Sequence, residues 1–341
     1  MIGSPSPGLV GLTLMALAAA GLVAALLTRL SLPLLQRYAL ARPNARSSHQ
    51  IPTPQGAGIA VIIATLLASY VASIWLHVTV PWLVTAATVF IALVGFVDDL
   101  RPLPVVARLL MQAAAVGAVV LSAPMEFRIV AACPLVLERA LLVLAGVWFV
   151  NLVNFMDGLD LMTASETVPI TVAIVLVGWL TDVPLPVTLI AAGLCGAMLG
   201  FVPFNRPVAR VFLGDVGSLP IGLLLGWLLL HLAWHHYLAA ALLLPAYYLA
   251  DATLTLLRRV ARHEPFWIAH RSHFYQRATD HGFAVIRVVS EVFVLNVVLA
   301  ALALAAALTD SIAVAATALI GGTMAVGALL WRFSRPRHQM R

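Results

Sequence analysis

Of the chain's 341 residues, 62% are hydrophobic and 10% charged, and its formal net charge of +6 comes with twenty arginines and no lysine. A soluble domain averages about 45–50% apolar residues, so this composition excludes an ordinary soluble enzyme. The arginines cluster at the ends of apolar runs, which argues against a nucleic-acid-binding domain.

Apolar runs of roughly 17–25 residues, the length that crosses a bilayer as a helix, recur along the whole chain. Eleven spans are expected, near 8–30, 56–76, 81–97, 104–121, 140–156, 165–181, 185–204, 217–234, 237–257, 288–308 and 311–333. Only helices or closed barrels satisfy the backbone in lipid. The runs lack period-two alternation, so the predicted fold is an all-α polytopic membrane protein, one domain over residues 1–341. The first run has no basic start and is followed by Arg29, so it reads as an uncleaved span and not as a signal peptide. Cys133 and Cys195 have no motif spacing, and no disulfide or metal role is expected of them.

Eleven spans divide the connections between two sides. One side holds eighteen arginines and the other only Arg128 and Arg139. The positive-inside bias places the N-terminus outside and the C-terminus inside. The inner loops are then 31–55, 98–103, 157–164, 205–216 and 258–287. Four polar clusters lie in or beside them: GFVDDLRPLP (95–104), NLVNFMDGLD (151–160), FLGDVGSLPIG (212–222) and HRSHFYQR (270–277). Polar groups are costly beside lipid and mark function there.

Each cluster has its own chemistry. Asp98 and Asp99 are adjacent carboxylates that repel, and a divalent cation or a cationic partner relieves the repulsion. An N-cap for the next helix or pairing with Arg101 is the alternative. Asn151, Asn154 and Asp157 recur every three residues, which stacks them on one helical face. Their oxygens are hard donors suited to Mg²⁺, and Gly158 permits a tight turn beside them. Helix capping together with interhelical hydrogen bonding is the alternative. Asp215 lies in a glycine-flanked turn before a helix, whose free N–H groups suit phosphate oxygens. Asp215 itself suits a cation that bridges to phosphate; the alternative is an N-cap. His270, Arg271 and His273 suit anion recognition, or form a solvated loop. His49 and Arg46 lie in the first inner loop, and Asp251 is an acid within a span. Together the clusters indicate Mg²⁺-assisted phosphate chemistry at the inner surface. One substrate would arrive from the bilayer as a lipid phosphate and the other from the cytosol as a nucleotide-activated donor.

VDDL, NFMDGLD, FLGDVGS and HRSHFYQR, in this order at span ends, resemble the polyprenyl-phosphate N-acetylhexosamine-1-phosphate transferase superfamily, glycosyltransferase family 4. The likeness runs from about residue 42 to residue 277. It implies transfer of a sugar-1-phosphate from a UDP-sugar to undecaprenyl phosphate with release of UMP. Asn154 and Asp215 then correspond to the Mg²⁺ ligands, with Mn²⁺ as a substitute ion. Asp98 and Asp99 correspond to the acidic pair near the lipid phosphate, with Asp157 in the same catalytic set and Arg108 as a basic partner for that phosphate. Gly158, Leu159, Asp160, Asn205 and Phe212 would shape a uridine pocket. His270, Arg271 and His273 would contact the donor's pyrophosphate or sugar, and His49 and Asn151 complete the substrate-binding set.

Two departures narrow the resemblance. The peptidoglycan translocases of the superfamily carry a run of histidines in the last inner loop and a lysine in the first; this chain has HRSHFYQR and no lysine. The likeness is therefore closer to the branch that starts O-antigen on GlcNAc, FucNAc or QuiNAc. The implied location is a bacterial inner membrane, with the N-terminus periplasmic, the C-terminus cytoplasmic and the site facing the cytoplasm. The implied partners are UDP-HexNAc, undecaprenyl phosphate and membrane lipids, with no nucleic acid; a homodimer is compatible with this. A lipid I-type translocase is the nearest alternative. A secondary transporter is the rival from another class, and it would place its ionisable groups near the midplane.

Overall fold

The computed structural model describes residues 6–41, 52–264, 270–309 and 311–336. Its helices, in chain order, are α1 (Pro7–Tyr38), α2 (Gly58–Trp75), α3 (Trp82–Leu100), α4 (Val105–Leu121), α5 (Leu135–Met156), α6 (Met162–Leu180) and α7 (Leu185–Phe201). There follow α8 (Asp215–Trp234), α9 (Leu238–Leu243), α10 (Ala246–Ala261), α11 (Phe274–Asp280), α12 (Val285–Leu308) and α13 (Ile312–Phe333). Two short antiparallel strands, β1 (Leu40–Ala41) and β2 (Thr53–Pro54), join α1 to α2. Among the described residues, nine helical segments are long and apolar enough to cross a membrane. The protein is an all-α polytopic membrane protein.

Two expected spans depart from a single long helix. The fourth, α4, has only 17 residues. The ninth is broken into α9 and α10 at Leu244–Pro245, where proline has no N–H to continue the ladder. α10 is amphipathic: Tyr247, Tyr248, Asp251 and Thr255 are buried, while Leu254 and Leu257 are exposed. Averaging over 237–257 hides both the break and the stripe.

α5 starts before its predicted boundary because two charged residues there are enclosed by the protein's own loop. The Glu138 carboxylate accepts from the Ile129 N–H at 2.7 Å and from Arg128 Nε at 2.7 Å. The Arg139 guanidinium donates to the carbonyls of Val120, Pro124 and Phe127. The two arginines on the arginine-poor side are thus clamps for the 122–134 connection.

The bundle is built around α7 and α8, the most enclosed helices, while α1 and α13 lie at its rim. α3 and α5 both pack on α8. The α3–α8 contact is close because Gly95 has no side chain; a Cβ there would fall 2.2 Å from the Asp215 carbonyl oxygen. Gly95→Val is therefore expected to push the two helices apart and cost about 1–3 kcal/mol or more, read as a lowered unfolding temperature in detergent. An unchanged temperature would contradict this packing.

Candidate active site

The C-terminal end of α3, the C-terminal end of α5 and the N-terminal end of α8 meet at one end of the bundle. Asp99 Oδ1 accepts from the Asp215 N–H at 2.9 Å and Oδ2 from the Val216 N–H at 3.1 Å. These are free donors of the first turn of α8, so Asp99 caps a helix 116 positions further along the chain. Gly214 has φ 76°, the left-handed region open to glycine, and a Cβ there would meet the Asp99 carboxylate at 2.5 Å. Neither acid caps the next helix, α4, as the alternative had it; Asp99 caps α8 instead.

Asp98 turns the other way. Its Oδ1 accepts from the Leu103 N–H and its Oδ2 from Arg108 Nη1, each at 2.6 Å. The acid ties the α3–α4 turn and fixes the guanidinium, which lies 3.9 Å from Asp215 Oδ2. Arg108 thus faces two acids from different clusters.

Asn154, two residues before the end of α5, directs Nδ2 to Asp215 Oδ1 at 2.7 Å and to Ser218 Oγ at 2.8 Å. Asn151, one turn deeper, departs from its expected place. It is buried, with Nδ2 donating to Gln112 Oε1 and to the Val147 carbonyl, and it joins α5 to α4 instead of facing the cleft.

Beyond α5 the DGLD turn doubles back. Asp157 accepts a hydrogen bond from Thr163 Oγ1. Burial, reinforced by the nearby charges of Asp99 and Asp160, pushes the Asp157 carboxyl up to about 7. Leu161 sits at φ 64°, unusual for a residue with a side chain. Its N–H donates to Asn205 Oδ1 at 2.7 Å, Asn205 Nδ2 donates to the Val211 carbonyl at 3.0 Å, and the Ala209 N–H donates to Asp160 Oδ2 at 3.0 Å. Asp160 and Asn205 therefore spend these polar atoms locking the 157–161 turn to the 205–211 loop. Phe212 is bound in turn to the connection between α1 and α2: its N–H donates to the Pro54 carbonyl at 2.8 Å, and its own carbonyl accepts from Gly56 and Ala57.

These pieces enclose a cleft of about 540 Å³. Asp99, Asn154, Asp157, Gly158, Leu159, Asp160, Asn205, Phe212 and Asp215 all line it. Arg108 borders it through Asp215. Its hard-oxygen side chains suit a cation such as Mg²⁺. Among the described residues, no three His, Cys, Asp or Glu side chains close into a ready-made metal cage. Such a donor set fits Mg²⁺, which takes one or two carboxylates and completes its shell with water and substrate phosphates.

The HRSHFYQR cluster contributes differently from expectation. His273 is buried, and its Nδ1 lies 3.2 Å from the Asp251 carboxylate, which also accepts from the Phe274 and Tyr275 N–H groups. Asp251 is thus the buried anchor of α11. His270 packs on His273 with ring centroids 5.0 Å apart. Burial, with His273 and Arg259 nearby, lowers His270 to about 4, so at neutral pH it is an uncharged partner and not a cation for anions. Arg271 pairs with Asp280 at 3.0 Å. None of these three lines the cleft; Gln276 does. Tyr275 donates to the Phe155 carbonyl at 3.0 Å, and its hydroxyl occupies space that a Cβ at Gly158 would need. His49 lies outside the described residues.

Sequence reasoning missed Thr53 and Gln55, which line the cleft from the connection between α1 and α2, and gave Gln276 no role. Gln55 Nε2 donates to the Asp99 carbonyl at 3.2 Å. The turn-rich TPQGAG segment was the available signal, but turn chemistry alone does not say where a loop lands.

Residues 81–233, which include the ends of α3, α5 and α8, match the family model for glycosyl transferase family 4. The chain is 33% identical over 244 residues to the decaprenyl-phosphate N-acetylglucosaminephosphotransferase of Mycolicibacterium smegmatis, covering 63% of this chain and 60% of that one. It is 31% identical over 192 residues to the phospho-N-acetylmuramoyl-pentapeptide-transferase of Wolbachia pipientis, covering 51% and 58%. To the probable undecaprenyl-phosphate N-acetylglucosaminyl 1-phosphate transferase of Bacillus subtilis it is 25% identical over 270 residues, 74% of each chain. The match spans only about three fifths of the mycobacterial relative. Asp99, Asn154, Asp157 and Asp215, which line the cleft, all lie inside the region that matches this family model.

Proposed function

We propose that this protein transfers a HexNAc-1-phosphate from a UDP-sugar of the GlcNAc, FucNAc or QuiNAc type to undecaprenyl phosphate. The products are undecaprenyl-diphosphate-sugar and UMP, and the reaction is the first step of an O-antigen or related envelope glycan. One observation carries this reading. Asp99, Asn154, Asp157 and Asp215, from three polar clusters, line a single cleft at span ends. A transporter needs no such gathering at one end of the bundle. The relatives' names supply the substrate classes. The eighteen-to-two arginine asymmetry supports a cytoplasmic-facing site in a bacterial inner membrane.

Asp215 and Asn154 are the residues that would hold Mg²⁺. When bound, the ion neutralises phosphate charge and orients the two reactants. The remaining steps follow from the chain's own side chains. Arg108, held by Asp98, offers its guanidinium to the lipid phosphate. Asp99 keeps the start of α8, and with it Asp215, against the cleft. Gly158, Leu159 and Phe212 line the wall that takes the nucleoside. A lipid-phosphate oxygen attacks the sugar-bearing phosphorus. The bond from that phosphorus to the bridging oxygen breaks, and UMP leaves with the electron pair. A phosphate monoester with a second pKa of about 6 is already ionised, so the nucleophile needs little activation. The competing route forms an aspartyl-phosphate; a phospho-enzyme trapped in a single turnover without lipid acceptor would replace direct attack.

The testing experiment is a donor panel. Purified full-length protein with undecaprenyl phosphate is expected to release UMP from one or more of UDP-GlcNAc, UDP-FucNAc and UDP-QuiNAc. Release from UDP-MurNAc-pentapeptide alone would instead assign a lipid I translocase.

A further inference from the structure

Behind the cleft lies a buried set of polar groups that the mechanism above does not use. Thr163, in the first turn of α6, is 3% exposed and donates its hydroxyl to Asp157. Tyr248, on α10, is 1% exposed, and its hydroxyl has no hydrogen-bond partner among the described residues. It lies beside Thr163 and near the carboxyl groups of Asp157 and Glu166. Its neighbour Tyr247 is committed elsewhere, donating to Asp251 at 3.2 Å. Glu166 accepts from Asn296 Nδ2 at 2.6 Å.

A threonine hydroxyl has one proton and two lone pairs. The Thr163 proton is given to Asp157, so its oxygen can only accept from other donors. Tyr248 is the buried O–H next to it, unpartnered among the described residues. An unpaired buried hydroxyl is costly, and a small shift toward Thr163 satisfies it. The order Tyr248 to Thr163 to Asp157 then points both protons toward the carboxylate, and each bond polarises the next. Asp157 needs such support because it is buried near two other acids, Asp99 and Asp160.

We propose that Thr163 and Tyr248 are positioning residues. Their hydroxyls form a relay from α10 through α6 that fixes the Asp157 carboxylate in the cleft. The proposal rests on the reading of Asp157 as part of the catalytic machinery.

The test is a kinetic comparison of Thr163→Val, Thr163→Ser, Tyr248→Phe and Asp157→Asn in the full chain. Thr163→Val keeps the shape and removes the hydroxyl, and is expected to lower kcat by about tenfold, the loss of one charge-assisted hydrogen bond. KM for both substrates stays within about twofold, since only the reacting geometry changes. Thr163→Ser restores most of kcat, and Tyr248→Phe lowers it by a few-fold. In an Asp157→Asn background, Thr163→Val adds little, because groups acting through one another are not additive. Full turnover by Thr163→Val with Asp157→Asn inactive would overturn the relay alone. A loss in Thr163→Val that serine does not rescue would overturn it as well. Full turnover by Asp157→Asn would instead overturn the catalytic reading of Asp157 on which the relay stands.

Discussion

Asp215→Asn is expected to lower turnover by roughly 10²–10³-fold, the scale on which preorganised charge in a catalytic site acts. The substitution is close to isosteric. Its amide oxygen can still accept from Asn154 Nδ2, now at 2.7 Å from the carboxylate, and the backbone N–H that Asp99 caps is untouched. Folding should therefore survive, and the loss should lie in chemistry. What disappears is the negative charge that faces Arg108 on one side and suits a cation on the other. UMP release by a monodisperse variant is the readout. Turnover within a few-fold of the parent would show that Asp215 is only a structural cap.

Asp99→Leu should do broader damage. Two N–H groups at the start of α8 lose their acceptor, and a buried unpaired donor costs about 1–3 kcal/mol each. The first turn of α8 frays, Asp215 leaves its place opposite Asn154, and activity falls with stability. Asp99→Asn separates the two effects. It keeps one acceptor oxygen for the cap, so most of the stability should return, while turnover stays low through the lost charge. Thermal unfolding and UMP release measured on both variants check this. Equal unfolding temperatures for Asp99→Leu and the parent would contradict the cap.

Much of the site was legible before the fold was known because it is made of short segments. NFMDGLD places Asn154 and Asp157 by helical spacing, and glycines around Asp215 announce a turn into a helix. Sequence could not say that Asp99 would cap α8 instead of the nearby α4, since that depends on α3 and α8 touching at Gly95. It could not separate Asn151 from Asn154 either. The two share a helical face, but one turn of depth sends Asn151 to Gln112 and leaves Asn154 at the cleft. The HRSHFYQR motif misled for a related reason. Its histidines and arginine have the chemistry of an anion site, yet Asp251, nineteen or more positions earlier in the chain, draws His273 inward and leaves Gln276 on the cleft wall. Membrane spans were legible as composition, but the α9–α10 break turned on Pro245 within an otherwise continuous apolar stretch.

The central claim is that distant polar span ends form one cleft that moves a sugar-phosphate onto a lipid phosphate. The most direct measurement follows the donor's β-phosphorus. With ³²P at that position in the preferred UDP-sugar, and undecaprenyl phosphate in a defined bilayer, the label should move into the lipid fraction in step with UMP release. Both should stop together in Asp215→Asn. Label that stays in the aqueous fraction while the parent protein turns the donor over would contradict the account.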